Sequence, residues 1–325
     1  MATRKLRLGV IGVGFGTVVQ IPSFQSEGVE VVAVCARRQN KAEQAAQEFG
    51  IPEAFSDYRI MLQMADLDAV SIATPPAYHY EMAIAALESG KHIICEKPFA
   101  MNSLQAKEMW ERAEASGLTT MVAHEFRFAP SRAHIRELLQ QQYVGDVRTV
   151  HMSLFRGPVQ TENPRPMAWG SDKSLGGGFL GALGSHYIDC LRDWCGEITR
   201  VGGAVFLHDQ NRLDTETGNI VLASADQAFS FIASFKQGGW ASFSASSAAP
   251  FGPGGRITIY GTEGTLESTY SGVNPPPHGN IAGARLGEKD GLREMPMPKR
   301  FRPFDDDRDD RMMAFRILVK NFIQG

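Results

Sequence analysis

Two short runs in this chain of 325 residues place chemically useful side chains where a fold can use them. The first is Gly9-Val10-Ile11-Gly12-Val13-Gly14-Phe15-Gly16-Thr17. It closes an apolar stretch, Leu6 to Ile11, and opens a helical one. Glycines at a strand-to-helix turn let backbone approach a pyrophosphate, and the first N–H groups of the helix attract that anion. The run matches G-x-G-x-x-G except at its last position, where Thr17 is still small enough for close helix–strand packing. Gly12, Gly14, Phe15, Gly16 and Thr17 are therefore expected to border a dinucleotide. The competing reading is a tight turn without a ligand. The second run is His92-Ile93-Ile94-Cys95-Glu96-Lys97-Pro98. Pro98 restricts Lys97 to extended backbone. That holds Lys97 at the carboxyl edge of a sheet, where open α/β folds bind ligands. Its ammonium group can hydrogen-bond a hydroxyl or carbonyl oxygen and help move its proton.

The end of the next apolar run selects the nucleotide. A carboxylate there would accept hydrogen bonds from a ribose 2′-hydroxyl. This chain has Val34-Cys35-Ala36-Arg37-Arg38 instead. Two guanidinium groups suit a 2′-phosphate. A charge-assisted hydrogen bond contributes ~1.5–3 kcal/mol, roughly ten- to hundredfold in affinity. NADP(H) is therefore expected over NAD(H), with Ala36, Arg37 and Arg38 at its adenosine end. The alternative leaves both arginines as solvated residues of a helix start.

The elements that position these runs follow from hydrophobic pattern. Leu6–Ile11, Val29–Cys35, Ala69–Ala73, His92–Cys95 and Thr119–Ala123 read as strands. Lys41–Phe49, Tyr78–Ser89 and Leu104–Ser116 read as helices, the last started by Asn102-Ser103 and stopped by Gly117. Short apolar strands separated by helices predict a parallel sheet covered on both faces. Past about residue 145 the pattern changes. Val147–Phe155 alternates as a strand. A loop with Pro158, Pro164 and Pro166 follows, then Gly176-Gly177-Gly178 and a helix to about Trp194. From Thr199 to Glu267 strands succeed one another without helices, which predicts an antiparallel sheet. Residues 271–303 hold six of the seventeen prolines and are expected to form a long loop. Asp305–Arg311 reads as a solvated helix start and Met312–Ile323 as an apolar helix. The fold class is α/β. A Rossmann domain covers residues 1–125, and a substrate-binding and oligomerisation α/β domain with an open, largely antiparallel sheet covers residues 126–325, its last helix either staying with it or packing back on the first domain.

These runs, with Ala73-Thr74-Pro75-Pro76-Ala77-Tyr78-His79, Gly90-Lys91-His92 and Gly184-Ser185-His186-Tyr187-Ile188-Asp189, resemble the Gfo/Idh/MocA family of oxidoreductases. These are the glucose–fructose oxidoreductase and inositol dehydrogenase-like proteins. The resemblance runs over nearly the whole chain. It implies hydride transfer to or from the carbon of a sugar, cyclitol or related polyol or keto compound. It implies Lys97 and His186 as catalytic residues, a Lys97–Pro98 peptide that is often cis, and Thr74, Pro75, His79 and Glu96 along the cofactor. Arg127 matches a position near nicotinamide or substrate. His79 also reads as a helix-start residue. Trp169 is a wall for a sugar ring or a core residue. Asp172 borders the substrate or belongs to a solvated loop. The open sheet implies a homodimer or homotetramer. Relatives commonly continue past an apolar helix like the last one here, which implies a shortened form.

The chain departs from the family at Ala182, where many members carry an aspartate four residues before the histidine. Spacing of four puts both on one helix face. Lys97 and His186 then work alone, or Asp189 orients the imidazole, or this branch has lost dehydrogenase chemistry. Two other functions follow from the resemblance: a cofactor-sensing regulatory protein without turnover, and a nicotinamide-dependent glycosidase.

Composition narrows the rest. The formal net charge is −3, with no dense Lys/Arg cluster, which argues against nucleic acid as a partner. No apolar run reaches the ~18 residues that span a bilayer. The first residues lack the pattern of a secretory signal, so a cytoplasmic protein is expected. Cys35, Cys95, Cys190 and Cys195 form no CxxC pair and read as buried reduced thiols. The eight histidines show no metal-ligand spacing, so no metal is expected.

Overall fold

The computed structural model describes residues 4–157, 164–271, 280–306 and 308–325. The chain divides into two compact units. The first comprises Met1–Glu125, Ser174–Gly176 and Phe315–Gly325, and the second Phe126–Lys173 and Gly177–Ala314.

The first unit is built on six strands: β1 (Arg7–Ile11), β2 (Glu30–Cys35), β3 (Glu53–Phe55), β4 (Ala69–Ile72), β5 (His92–Cys95) and β6 (Thr120–Val122). They pair in the order β3-β2-β1-β4-β5-β6, all parallel. Leu8, Val10, Val32, Val34, Val70 and Ile72 are completely buried. A sheet covered on both faces demands such continuous apolar strands. Strand order reverses between β1 and β4, and open α/β sheets bind ligands at the carboxyl ends around such a point. The helix Ser103–Ser116 has well-defined ends. Asn102 Oδ1 accepts from the N–H groups of Leu104 and Gln105, both at 3.0 Å, and Gly117 takes a left-handed φ of 66°. Phe315 of the last helix, Met312–Gln324, is fully buried in this unit, edge-on to Phe15 and Phe24.

The second unit centres on an eight-stranded sheet. Its strands are β7 (Val147–Phe155), β8 (Ile198–Phe206), β11 (Ala228–Phe235), β12 (Trp240–Ser246), β13 (Gly254–Gly261), β14 (Gly264–Tyr270), β15 (Asn280–Arg285) and β16 (Arg293–Met295). The order is β16-β15-β14-β13-β7-β12-β11-β8, and every pair is antiparallel except β7 with β12. A separate ribbon joins β9 (Asn211–Leu213) to β10 (Ile220–Leu222). Alternation decides the faces. Phe229, Phe231, Ala233 and Phe235 of β11 are buried, as are Val150, Met152 and Leu154 of β7. They share a core with the helices Pro130–Gln140 and Ser185–Cys195 through Ile135, Leu138, Tyr187 and Leu191. The opposite face is open, with Ile232, Trp240 and Tyr260 at 57, 38 and 43% exposure.

Several elements differ from the sequence expectation. The stretch 271–303 is not one loop: β15 and β16 extend the sheet there, and the prolines at 275–277 lie outside the described residues. Pro158 of the other proline loop also lies outside them. The described residues of Asp305–Arg311 are not helical. Their charges pair locally, Arg308 with Asp306 and Arg311 with Asp309, and the helix begins at Met312. The helix Pro130–Gln140, with its proline in the first turn, has no counterpart in the expectation. All four cysteines are free and buried, and burial pushes the Cys35, Cys190 and Cys195 thiols up to about 12. Among the described residues no helix is long and apolar enough to cross a membrane.

Candidate active site

In the first unit the glycine turn lies at the point where strand order reverses. Gly12 N–H donates to Cys35 O at 2.8 Å, and Ala73 N–H donates to Ile11 O at 2.7 Å. These bonds tie the ends of β1, β2 and β4 together. Gly12 has φ +111°, and a Cβ there would stand 2.5 Å from Ala73 O. Only glycine fits that crossing. Gly14 is the opposite case: it is exposed, and a Cβ added to it would meet no atom within 4 Å. Gly16 is buried, and a Cβ would come within 3.1 Å of Val10 Cγ1. Close helix–strand packing therefore falls to Gly16 rather than to Thr17. The Thr17 hydroxyl instead donates to Val13 O at 2.8 Å and Gly14 O at 3.1 Å, bracing its own turn. A one-turn π-helix, Gly16–Gln20, follows. Such turns often mark functional sites. Phe15 meets Phe315 edge-on at 6.1 Å.

Behind this turn runs a buried polar chain that sequence pattern did not reveal. Ser71 Oγ donates to Gln20 Oε1 at 2.8 Å, and Gln20 Nε2 donates to Glu96 Oε1 at 2.9 Å. Glu96 Oε2 accepts from the Lys97 N–H at 3.2 Å. The glutamine thus links the glycine-turn helix to the Glu96-Lys97-Pro98 corner. A buried Gln on an otherwise apolar helix face was the available signal. The Lys97–Pro98 peptide is cis, and Lys97 is half-buried at the carboxyl edge.

His79 is completely buried. One ring nitrogen stands 2.9 Å from Pro98 O and the other 2.8 Å from Thr74 O. Burial pushes its pKa below the ordinary value of 6.5, against the raising effect of those carbonyls. The ring has no surface for a ligand. It fixes the backbone of Thr74 and Pro98 instead, so any effect on a cofactor passes through those segments. Thr74 and Pro75 are partly exposed beside them. Ala36 is buried at the end of β2, and its N–H donates to Phe55 O at 3.0 Å. Arg37 and Arg38 are both exposed at the bend before the helix Gln39–Phe49.

In the second unit His186 is 1% exposed and stacks on Phe126, with centroids 3.9 Å apart and planes within 7°. Asp189 is committed to Arg127 rather than to the imidazole. Arg127 grips it with both arms: Nε donates to Oδ2 at 2.9 Å and Nη2 to Oδ1. Asp193 stands 3.8 Å from Arg127 Nη1. These carboxylates raise the Arg127 pKa, the Asp189 hydrogen bonds most, so its charge is secure. The helix carrying His186 opens as a π-turn, Leu180–Gly184. Ala182 lies in that wider turn, so spacing of four is not the regular α-helical neighbour relation expected. Trp169 is 39% exposed in the short turn Trp169–Ser171, which rules out a core role. Asp172 follows it, partly buried, 3.5 Å from Ser224 Oγ.

A cavity of about 240 Å³ opens beside that π-turn, lined among others by Arg165, Ser171, Gly178, Ala182, Arg212 and Asp226. Gly178 has φ +127°, and a Cβ there would strike Asp226 Oδ1. Asp226 Oδ2 accepts from the Leu180 N–H at 2.8 Å, which spends that carboxylate on the helix start. Neither Arg165 nor Arg212 was anticipated: they are 47 positions apart, and their meeting depends on β9.

Comparison with known proteins adds to this geometry. Residues 6–124 match the model of an oxidoreductase family with an NAD-binding Rossmann fold, and residues 133–267 match the Gfo/Idh/MocA C-terminal domain. Levoglucosan dehydrogenase of Pseudarthrobacter phenanthrenivorans is 34% identical over 169 residues, 50% of this chain and 42% of that protein. A D-xylose 1-dehydrogenase (NADP(+)) of Haloferax volcanii is 30% identical over 194 residues, 60% of this chain and 58% of that one. Such matches span about half the length of the curated relatives. A solved levoglucosan dehydrogenase in complex with NADH and L-sorbose superposes with a TM-score of 0.85 at 23% identity, over 97% of this chain and 90% of that one.

Proposed function

We propose a function from one premise: this chain belongs to the Gfo/Idh/MocA family of oxidoreductases, both of whose domain models it matches. The function is NADP(H)-dependent hydride transfer to or from a carbinol carbon of a sugar, cyclitol or related polyol, or its keto form. The observation that carries it is the glycine turn. Gly12 is locked against Ala73 O while the space over Gly14 stays clear, a cradle that a side chain would fill. That is the shape a pyrophosphate needs.

The backbone of residues 12–17 holds the pyrophosphate, and Arg37 and Arg38 hold the 2′-phosphate. Nicotinamide, when bound, supplies the hydride donor or acceptor. Thr74, Pro75 and the Glu96-Lys97-Pro98 corner border it. The Lys97 ammonium holds and polarises the reacting oxygen, and His186 relays or positions its proton. Arg127, anchored by Asp189, orients nicotinamide or substrate. Exposed Trp169 offers a flat apolar wall to a sugar ring, with Asp172 beside it. The open sheet face with Ile232, Trp240 and Tyr260 meets a second copy of the chain.

A second reading rests on Ala182. Loss of a carboxylate at that position favours a cofactor-binding regulatory protein without turnover. The test is a screen of sugars, polyols and their keto forms with NADPH and NADH, run on the native chain and on Lys97→Met. Turnover that Lys97→Met abolishes, with nucleotide affinity retained, supports the enzyme. Full turnover in Lys97→Met refutes the mechanism. Tight nucleotide binding with no turnover across the panel selects the regulatory reading.

A further inference from the structure

The cavity beside the π-turn is lined by a buried guanidinium that no carboxylate among the described residues pairs with directly. Arg212 is only 5% exposed. Its Nη1 donates to Asp209 O at 2.9 Å and Asn211 O at 2.7 Å, and its Nε to Ser171 Oγ at 3.3 Å. All three acceptors are neutral. Among the described residues no carboxylate lies within ion-pair distance of it. Arginine is almost never buried so deeply without a counter-charge. Arg165 lines the same cavity, its Nη2 3.5 Å from Asp209 Oδ2 in a loose and largely exposed pair. Burial and the neighbouring Arg165 charge lower the Arg212 pKa, with the Asp209 carboxylate acting against them, and burial and Arg165 also lower that of Arg156. Arg165 and Arg212 thus bring like charge to the same cavity. Against them stand Asp209, which pairs loosely with Arg165 and acts on Arg212 from beyond ion-pair distance, and Asp226, committed to the Leu180 N–H.

A second buried guanidinium shows what a purely structural arginine looks like here. Arg132 is 1% exposed and also pairs with no carboxylate among the described residues, but the rings of Tyr187, Trp194 and Tyr270 enclose it at 4.9, 5.9 and 5.2 Å. Their negative faces supply the missing charge. Arg212 has a cavity where Arg132 has rings. The same cavity is lined by Ala182, whose methyl group adds no charge. An aspartate at that position would neutralise the arginines and repel an anion.

We infer that this cavity recognises an anionic oxygen group, carboxylate or phosphate, carried by the substrate, with Arg212 and Arg165 as the residues that read it. A planar guanidinium fork matches either group bidentately. The inference rests on the proposed hydride-transfer reading in one respect only, that the anion belongs to the molecule being oxidised or reduced. The substrate class is thus a sugar acid or a sugar phosphate rather than a neutral polyol.

The test is calorimetric titration of the full chain, with and without nicotinamide nucleotide. The probes are D-gluconate, D-glucitol 6-phosphate, neutral D-glucitol, and inorganic phosphate and sulfate. At least one anionic sugar is expected to bind ten- to hundredfold more tightly than D-glucitol, the worth of one charge-assisted hydrogen-bonded contact. Whether gluconate or the phosphate ester binds more tightly names the group. Arg165→Gln and Ala182→Asp, both at positions that tolerate the change without unpairing a buried group, should each erase most of that preference. Arg212→Gln should do the same if it folds. Equal binding of neutral and anionic sugars overturns the inference. So does a preference that survives both Arg165→Gln and Ala182→Asp, or inorganic anions that bind as tightly as the sugar anions. Anion preference without hydride transfer to any probe retains the recognition site and refutes the proposed reaction.

Discussion

Gly12 and Gly14 stand two residues apart in one turn, and the structure assigns them opposite sensitivities. In Gly14→Ala the new methyl group meets no atom within 4 Å, and the backbone there does not have a positive φ. The substitution should leave the ligand-free protein as stable as before or about 0.4–1 kcal/mol more stable, because alanine narrows the unfolded ensemble. Gly12→Ala must hold φ +111° and push its Cβ to 2.5 Å from Ala73 O, which is backbone and cannot swing aside. Strain alone costs about 1–3 kcal/mol. Displacing β4 adds to it, and the sum is a large fraction of a stability on the order of 5–15 kcal/mol. Thermal unfolding without nucleotide should show Gly12→Ala lowered by roughly 5–10 °C, at about 2–4 °C per kcal/mol. NADPH titration followed by protein fluorescence should then separate the roles. Gly14→Ala loses one or two charged hydrogen bonds to the pyrophosphate, ~1.5–3 kcal/mol each, or at least tenfold in affinity. Native affinity in a stable Gly14→Ala would refute the idea that a pyrophosphate crosses that residue. An unchanged melting temperature in Gly12→Ala would refute the steric argument.

Three further outcomes follow from single contacts. Arg37→Ala with Arg38→Ala should reduce the NADPH/NADH affinity ratio ten- to hundredfold, and an unchanged ratio leaves both arginines as solvated helix-start residues. Burial lowers the His79 pKa, so the folded state binds its proton less readily than the unfolded state. Its contribution is therefore present above about pH 6.5 and lost as pH falls from there through the lowered value. Urea unfolding at pH 7.5 and pH 5 should show this loss in the native chain and less of it in His79→Gln. A double-mutant cycle on Arg127→Gln and Asp189→Asn should give a coupling of about 1 kcal/mol, given a guanidinium that is partly exposed. The cycle of Asp189→Asn with His186→Ala should give close to zero, and a larger value would restore Asp189 as the partner of the imidazole.

How much of this was legible in the sequence depends on the range of the interaction that fixes each feature. Strand and helix periodicity is local, so β7 and β11 could be read to the residue, and Asn102 and Gly117 marked their helix ends through bonds to immediate neighbours. The glycine turn was legible for the same reason. Its division of labour was not, because the residue that packs on Val10 is decided by the π-turn after Gly16, and a heptad or G-x-G count assumes regular winding. Short or small-residue strands escaped. β3 and β16 are three residues each, and β15 contains Gly283 and two alanines, so none carries the apolar alternation that betrays a strand. Pro130 hid a helix because proline reads as a breaker, although it is well placed in a first turn.

The site follows the same rule with higher stakes. Lys97 and the glycines could be placed because each lies at a strand end, a position that sequence pattern can locate. The pairing of Asp189 with Arg127 was not legible, because its distance from His186 along the helix was visible while its bidentate partner, 62 residues away, was not. The Ser71–Gln20–Glu96 chain and the Arg165–Arg212 pair join residues that share nothing in sequence except polarity in the wrong place. A buried glutamine or guanidinium is costly to desolvate, so each must be matched by a partner or a ligand. For Gln20 the fold supplies both partners. For Arg212 the described residues supply only neutral oxygens at hydrogen-bond distance, with the Asp209 carboxylate acting from farther off, and that difference turns a packing detail into a statement about the substrate.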